Sequence, residues 1–397
     1  MGNKKLSGQL KAADAFYYSF LFVAVFFSTI GFTFSDVLYV GLIALFGILL
    51  IVKLASGRYS LPEIAICLIL VGIGAFLALR THKFTVLLTA ILLVGAHGLR
   101  TDDVLKKYFV FKLFSLVLLL SFGALGIFEM SNTEHYRMLS GAIEVRTSIN
   151  GTGVNSIHLS LFTSVTLYLF FRFQNIRVSD LAICLAANFL LYFNVTHSMA
   201  GVAMTTISVA LFWTCSRLRG FGRLVTRIAP FLPMAFFVIM VLFGITYGSS
   251  SLTDFVNRLS TGRIAYDHYY LTTYGFSLFG ADYRQLISEG FFDDSFIYVP
   301  VVYGAAFALL LYGSVTMLLA RYRSEGNTKC VLLILIYLLY SVAESMYPSA
   351  VVNPSMFLLC DLFFTSLTSS DCEKGSERVC GAIQSESSMR SQRSRWL

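Results

Sequence analysis

The sequence predicts an all-α polytopic membrane protein, and three observations carry that reading. Of its 397 residues, 56% are hydrophobic and 13% charged, with a mean hydropathy of +0.73; a soluble domain has about 25% charged residues. Apolar stretches long enough for a hydrocarbon core of about 30 Å, roughly 20 residues each, recur between charges and turn residues. Lysine and arginine then fall mostly in alternate connections, as the retention of positive charge on the cytoplasmic side requires. Together these exclude a cytosolic globular enzyme, a collagen and a disordered tail. Seven cysteines are too dilute for a disulfide-stapled secreted domain.

Taken in order, the first six spans are expected at 14–32, 36–55, 61–79, 82–99, 108–129 and 155–172. The second six follow at 179–195, 199–216, 228–247, 296–320, 330–347 and 350–368, about 12 transmembrane helices in all. The apolar run from Phe16 is long and no small-residue cleavage site ends it, so the first helix is expected to stay as an anchor. With the N-terminus inside, 23 of the 30 cations lie on the inner side, leaving Arg80, Lys83, Arg137, Arg146, Arg258, Arg263 and Arg284 outside. Both termini are therefore expected to be cytoplasmic. Residues 1–368 form a single transmembrane domain and 369–397 a basic, disordered cytoplasmic tail. No outer connection contains a cysteine, so neither a disulfide nor a metal site is expected.

Two outer loops, 130–154 and 248–295, are too long to be simple turns, and long loops on rigid helices are where ligand chemistry sits. In the first, Arg146 precedes Asn155 by nine residues. Gly151 and Gly153 permit a tight turn, and Asn155 or Ser156 can cap the following helix so that its N–H groups face an anion. Arg146 is then either a phosphate ligand or an interfacial arginine among lipid headgroups.

In the second loop Arg263, followed by apolar and aromatic positions at 264, 266, 269, 270, 271 and 274, suggests an amphipathic helix on the outer interface. Arginine forks bind diphosphates bidentately and keep their charge, and six of the seven outer cations are arginine. Tyr266, Tyr269, Tyr270, Tyr274 and Tyr283 can stack on sugar rings, or form an ordinary interfacial belt. Arg258 and Arg284 either join in substrate binding or are solvated. His268 is either a surface group or a proton-transfer group.

The stretch RLSTGRIAYDHYYLTTYGFSLFGADY, followed by FFDDSFIYVPVVYGAAFALLLYG, resembles the closing third of Wzy-type polysaccharide polymerases of the O-antigen polymerase and ligase superfamily. Gly262-Arg263, Phe279-Gly280, Asp294 and Gly304 occupy the family's motif places. Upstream, RTSINGTGVNSIHLSL resembles its Arg-to-Asn approach, and THSMAGVAMTT its Ser-rich outer turn with Gly201. The likeness covers roughly residues 140–320. Eleven residues separate Arg263 from Gly275 where some members have ten, and Ser295 stands where Asn is common. Ligases of the superfamily tend to have His at the Asp294 place, which points to a polymerase.

The resemblance implies a metal-independent, cofactor-free glycosyltransferase similar to the GT-C-like lipid-dependent enzymes. It would join undecaprenyl-diphosphate-linked oligosaccharide repeat units at the outer face of the bacterial cytoplasmic (inner) membrane. Donor and acceptor are both lipid-linked, a chain-length regulator and a flippase are the implied partners, and no nucleic acid is involved. On that reading Arg146 and Arg263 bind the charge developing on the departing diphosphate. Asp294 orients or deprotonates the acceptor hydroxyl, unless it serves as the cap of the helix at 296, and His268 is the reserve. Glu344, a costly carboxylate near the outer end of span eleven, is expected to pair with an outer arginine. The other readings are an O-antigen-type ligase, a multi-span polysaccharide transporter or flippase, and a membrane scaffold.

Overall fold

A computed structural model describes residues 2–31, 59–136, 143–287 and 293–364, with single positions at 41, 45, 48, 51, 53 and 141. The span expected at 36–55 falls almost wholly outside these residues, and the tail at 369–397 entirely so. The helices are α1 (Gly2–Ile30), α2 (Leu61–Thr81), α3 (Thr85–Gly95) and α4 (Thr101–Ala124). A hairpin of β1 (Met130–Tyr136) and β2 (Ile143–Ile149) follows, then α5 (Val154–Arg172), α6 (Val178–Leu191), α7 (Met199–Arg217), α8 (Arg219–Ile228) and α9 (Leu232–Thr246). The chain continues as α10 (Ser251–Leu259), α11 (Arg263–Thr273), α12 (Tyr283–Ile287), α13 (Ser295–Tyr298), α14 (Ala305–Ser324), α15 (Thr328–Tyr340) and α16 (Leu359–Phe363).

Among the described residues seven helical stretches are long and apolar enough to cross a membrane, by length and composition: 61–81, 101–124, 154–175, 178–196, 199–217, 219–246 and 305–324. Three expected spans are shorter as built. Thr85–Gly95 has 11 residues and Thr328–Tyr340 has 13, about 16 and 20 Å at 1.5 Å per residue. Pro354–Phe363 is a turn of 3₁₀ helix running into α16. The reason lies in packing. From Cys330 to Leu338 every residue of α15 is buried, so these elements are the centre of the bundle, screened from lipid by the longer helices.

The break after α15 follows from the same burial. Residues 341–353 are irregular, and non-helical backbone at such depth persists only where protein groups satisfy it. Here they do. Thr89 Oγ1 donates to the Pro348 carbonyl at 2.8 Å and accepts from the Ala350 N–H at 2.9 Å, and Tyr108 donates to the Val351 carbonyl at 2.6 Å. Ser295 holds the near side: its N–H reaches the Ser341 carbonyl at 2.8 Å and its hydroxyl the Glu344 carbonyl at 2.6 Å.

The first of the two long loops is a β-hairpin, with Thr133 opposite Arg146 in an antiparallel register. The alternation Ile143, Val145, Thr147, Ile149 explains it, since β-branched residues at every second position suit a pleated ribbon. Ile149 is buried against α4, and Asn150 anchors the ribbon's end through a 2.7 Å bond to the Ile30 carbonyl.

Two glycines form a seam. Gly280 (φ +82) and Gly304 (φ +94, ψ 155) lie back to back, so that a Cβ on Gly304 would stand 2.4 Å from the Leu278 carbonyl oxygen. Across the seam the Ala281 N–H bonds the Val302 carbonyl at 3.2 Å and the Ala305 N–H the Ser277 carbonyl at 2.9 Å. The second long loop is thereby tied to the start of α14.

Candidate functional site

The turn between α10 and α11 sets the site. Gly262 adopts φ +90, a conformation that glycine reaches without a Cβ penalty, and its N–H bonds the Asn257 carbonyl at 2.9 Å. The Asn257 side chain then accepts from the Ala265 N–H at 3.0 Å. This fold-back makes Arg263 the first residue of α11 and turns it toward the irregular segment after α15.

Arg263 is half-buried and fully engaged. Nη1 donates to the Ala343 carbonyl, while Nη2 stands 3.4 Å from Asp293 Oδ2 and 3.6 Å from Glu344 Oε1. Glu344, expected to pair with an arginine of the long loops, does so with Arg263. Glu344 also takes a hydrogen bond from the Asn155 side chain at the start of α5, and Asn155 in turn accepts from Ser198 at 2.9 Å. Five separated pieces of chain meet here: the start of α5, the turn before α7, α11, the segment before α13 that carries Asp293, and the 341–353 segment.

Behind the arginine lie two more carboxyls. Asp294 is 1% exposed; its Oδ1 accepts from the Phe296 N–H at 2.9 Å, capping α13, and its Oδ2 is buried with no hydrogen-bond partner. Asp267, also 1% exposed, has a similarly unpartnered Oδ2. Burial pushes the Asp267 carboxyl up to about 8, with the Asp293 charge adding to the effect and Arg263 opposing it. Burial and then the neighbouring Asp267 hold Asp294 well above the usual carboxylate range, and burial raises Asp293 against the pull of Arg263. One guanidinium therefore faces Asp293, Glu344, Asp267 and Asp294. Burial and mutual repulsion oppose ionisation of the whole set, which favours protons held among these carboxyls and a group able to accept or deliver one.

The other expected site residues are distributed around this cluster. Arg146 is half-buried on β2, a separate element; the partners of Arg263 among the described residues are Ala343, Asp293 and Glu344. The two arginines are linked through the chain that runs from β2 into α5 and its Asn155. His268 is directed the other way, its Nδ1 2.7 Å from the Gly244 carbonyl at the end of α9. Tyr270 is fully buried with its hydroxyl on the Leu286 carbonyl at 3.2 Å, which removes it from ligand reach and corrects its expected role in sugar binding. Tyr274 is half-buried and stacks on Tyr270 with centroids 6.1 Å apart, and Tyr266 is exposed. Arg258 is exposed on α10, and Arg284 pairs with its neighbour Asp282 at 3.3 Å. Lys83 packs its ammonium 3.7 Å over the Tyr283 ring, fastening α12 to the α2–α3 turn.

Asp267, Asp293 and the Asn155–Glu344 bond escaped the sequence reading. One signal was present: Asp267 lies four residues after Arg263, the spacing at which opposite charges share a helix face. No protein-family model, no curated protein and no solved structure matches the chain.

Proposed function

We propose that the chain is an outer-face, acid–base glycosyl transferase of the membrane, and within that class a polymerase of lipid-linked oligosaccharide repeat units. The observation that carries the reading is the Arg263 cluster, a guanidinium bridging Asp293 and Glu344 beside the buried, unpartnered oxygens of Asp267 and Asp294. The acceptor hydroxyl gives its proton to a carboxylate of this set, its oxygen attacks C1 of the donor sugar, and the C1–O bond to the lipid diphosphate breaks. Arg263, and Arg146 from the hairpin, supply positive charge as that diphosphate leaves. Exposed Tyr266, with Tyr274, Arg258 and Arg284 around it, forms the rim for the glycan. The accompanying topology is about twelve crossings with both termini in the cytoplasm of a bacterium, in its inner membrane, with a flippase and a chain-length regulator as partners.

Arg263→Ala tests the reading in a host that makes surface polysaccharide through this chain. The high-molecular-weight ladder is expected to disappear while single repeat units stay on their lipid at the outer leaflet. An unchanged ladder removes Arg263 from the site. The surplus of carboxyls favours a second reading, a proton-coupled polysaccharide transporter. In that case the stranded units would collect on the inner leaflet.

A further inference from the structure

At the end of the bundle opposite Arg263, α8 lies across the ends of its neighbours. Gly222 allows this close fit: a Cβ there would come within 3.3 Å of the Cys215 carbonyl oxygen and 3.6 Å of Thr328 Cγ2. The separation from the carboxyl cluster is large, since α14 runs 20 residues from the glycine seam to Ser324, about 30 Å. Between α8 and the last turn of α14 opens a cleft of ≈ 490 Å³ lined by Gly220, Arg223, Leu224, Thr226, Arg227 and Arg323.

Its charge is unbalanced. No carboxylate lines the cleft, and among the described residues Arg223, Arg227 and Arg323 make no ion pair. Other cations at the same end are engaged: Arg321 with Glu325 at 2.7 Å, Arg172 with Asp180 at 3.3 Å, Lys329 with Asp102 at 3.4 Å, and Arg217 over the Trp213 ring at 4.5 Å. Arg223 and Arg227 are one helical turn apart on one side of α8, while Phe221, Leu224 and Ile228 are exposed beside them. A basic row flanked by exposed apolar side chains on a helix at the bundle end is the pattern of a helix in the headgroup layer.

We infer that this cleft binds the phosphate of an anionic phospholipid, with Arg223, Arg227 and Arg323 on the phosphate and Phe221, Leu224 and Ile228 along the acyl chains. Guanidinium forks match phosphate oxygens, and basic pockets between helix ends on the cytoplasmic side suit lipid headgroups. The inference stands apart from the proposed reaction.

The full chain in nanodiscs of phosphatidylglycerol mixed with phosphatidylcholine, released for native mass spectrometry, is the test. The wild type is expected to retain phosphatidylglycerol in preference to phosphatidylcholine. Each of Arg223→Gln, Arg227→Gln and Arg323→Gln weakens retention by about fivefold, whereas Lys107→Gln, which removes an exposed cation of α4 away from the cleft, leaves it unchanged. Retention by the triple variant equal to the wild type overturns the site, as does an equal loss with Lys107→Gln. Displacement of the lipid by millimolar inorganic phosphate overturns a lipid occupant in favour of free phosphate. Arg227→Gln alone changes one exposed side chain and carries the test if the triple variant does not fold.

Discussion

Asp267 has no full hydrogen-bond complement and no exposure, so its proton is part of what keeps it in place. The unfolded carboxyl titrates near 3.8 and the folded one near 8. The folded state therefore binds more protons between those values. Stability from this proton is complete below about pH 4 and is lost as pH rises through about 8. Asp267→Asn keeps the shape without a proton to lose. The fall in Tm across that window should be shallower in the variant, with Asp293, Asp294 and Glu344 accounting for what slope remains. Parallel wild-type and variant curves would show that Asp267 does not hold a proton there. Arg263 was legible from sequence because Gly262 and an amphipathic run mark its helix. Asp293 was not, because its importance comes from what folds against it; Asp267 showed only its spacing of four residues from Arg263, which does not reveal that its carboxyl is buried.

At the scale of elements, the glycine seam and the Ser295 strap do the positioning. Gly304 occupies a backbone region that only glycine uses, with the Leu278 carbonyl oxygen, the Gly280 nitrogen and Phe279 Cα on its would-be Cβ side. Gly304→Ala is expected to lower stability by about 3 kcal/mol and to reduce the folded yield in detergent; a Tm equal to the wild type would contradict the seam. Ser295→Ala removes one bond each to the Glu344 carbonyl and the Tyr347 N–H. It should slow glycan assembly while leaving Tm within a few degrees, a split read by comparing ladder length with thermal unfolding; an unaltered ladder would mean that the strap does not position Glu344. The long lipid-facing helices were legible as apolar runs. The hairpin was not, since period-two alternation is confined to the seven residues of β2 and the polar run Ser131–His135 of β1 shows none. Nor was the break after Tyr340, because a run buried in protein and a run buried in lipid share one composition.

For the whole molecule, the two ends differ in chemistry. One gathers the carboxyls around Arg263; the other crowds Arg172, Arg217, Arg219, Arg223, Arg227, Arg321, Arg323 and Lys329 at helix ends, the side that the proposed topology turns to the cytoplasm. Single cysteines at positions 147 and 265 should be labelled by an impermeant maleimide from outside, and one at 220 only after the membrane is opened. The opposite pattern would invert the bundle. All five cysteines among the described residues are buried, and replacing Cys372 and Cys380 by serine removes the other two from the background.

The clasp on Arg263 also has a timing. Its carbonyl partner Ala343 lies 80 residues downstream, so at about 5–20 residues per second the ribosome delivers the arginine roughly 4–16 s before the segment that receives it. Asp293 follows Arg263 by 30 residues and Glu344 only by 81, so the clasp is half-made for most of that interval, and nascent chains arrested before residue 343 should expose Arg263 to protease or label that the finished protein denies.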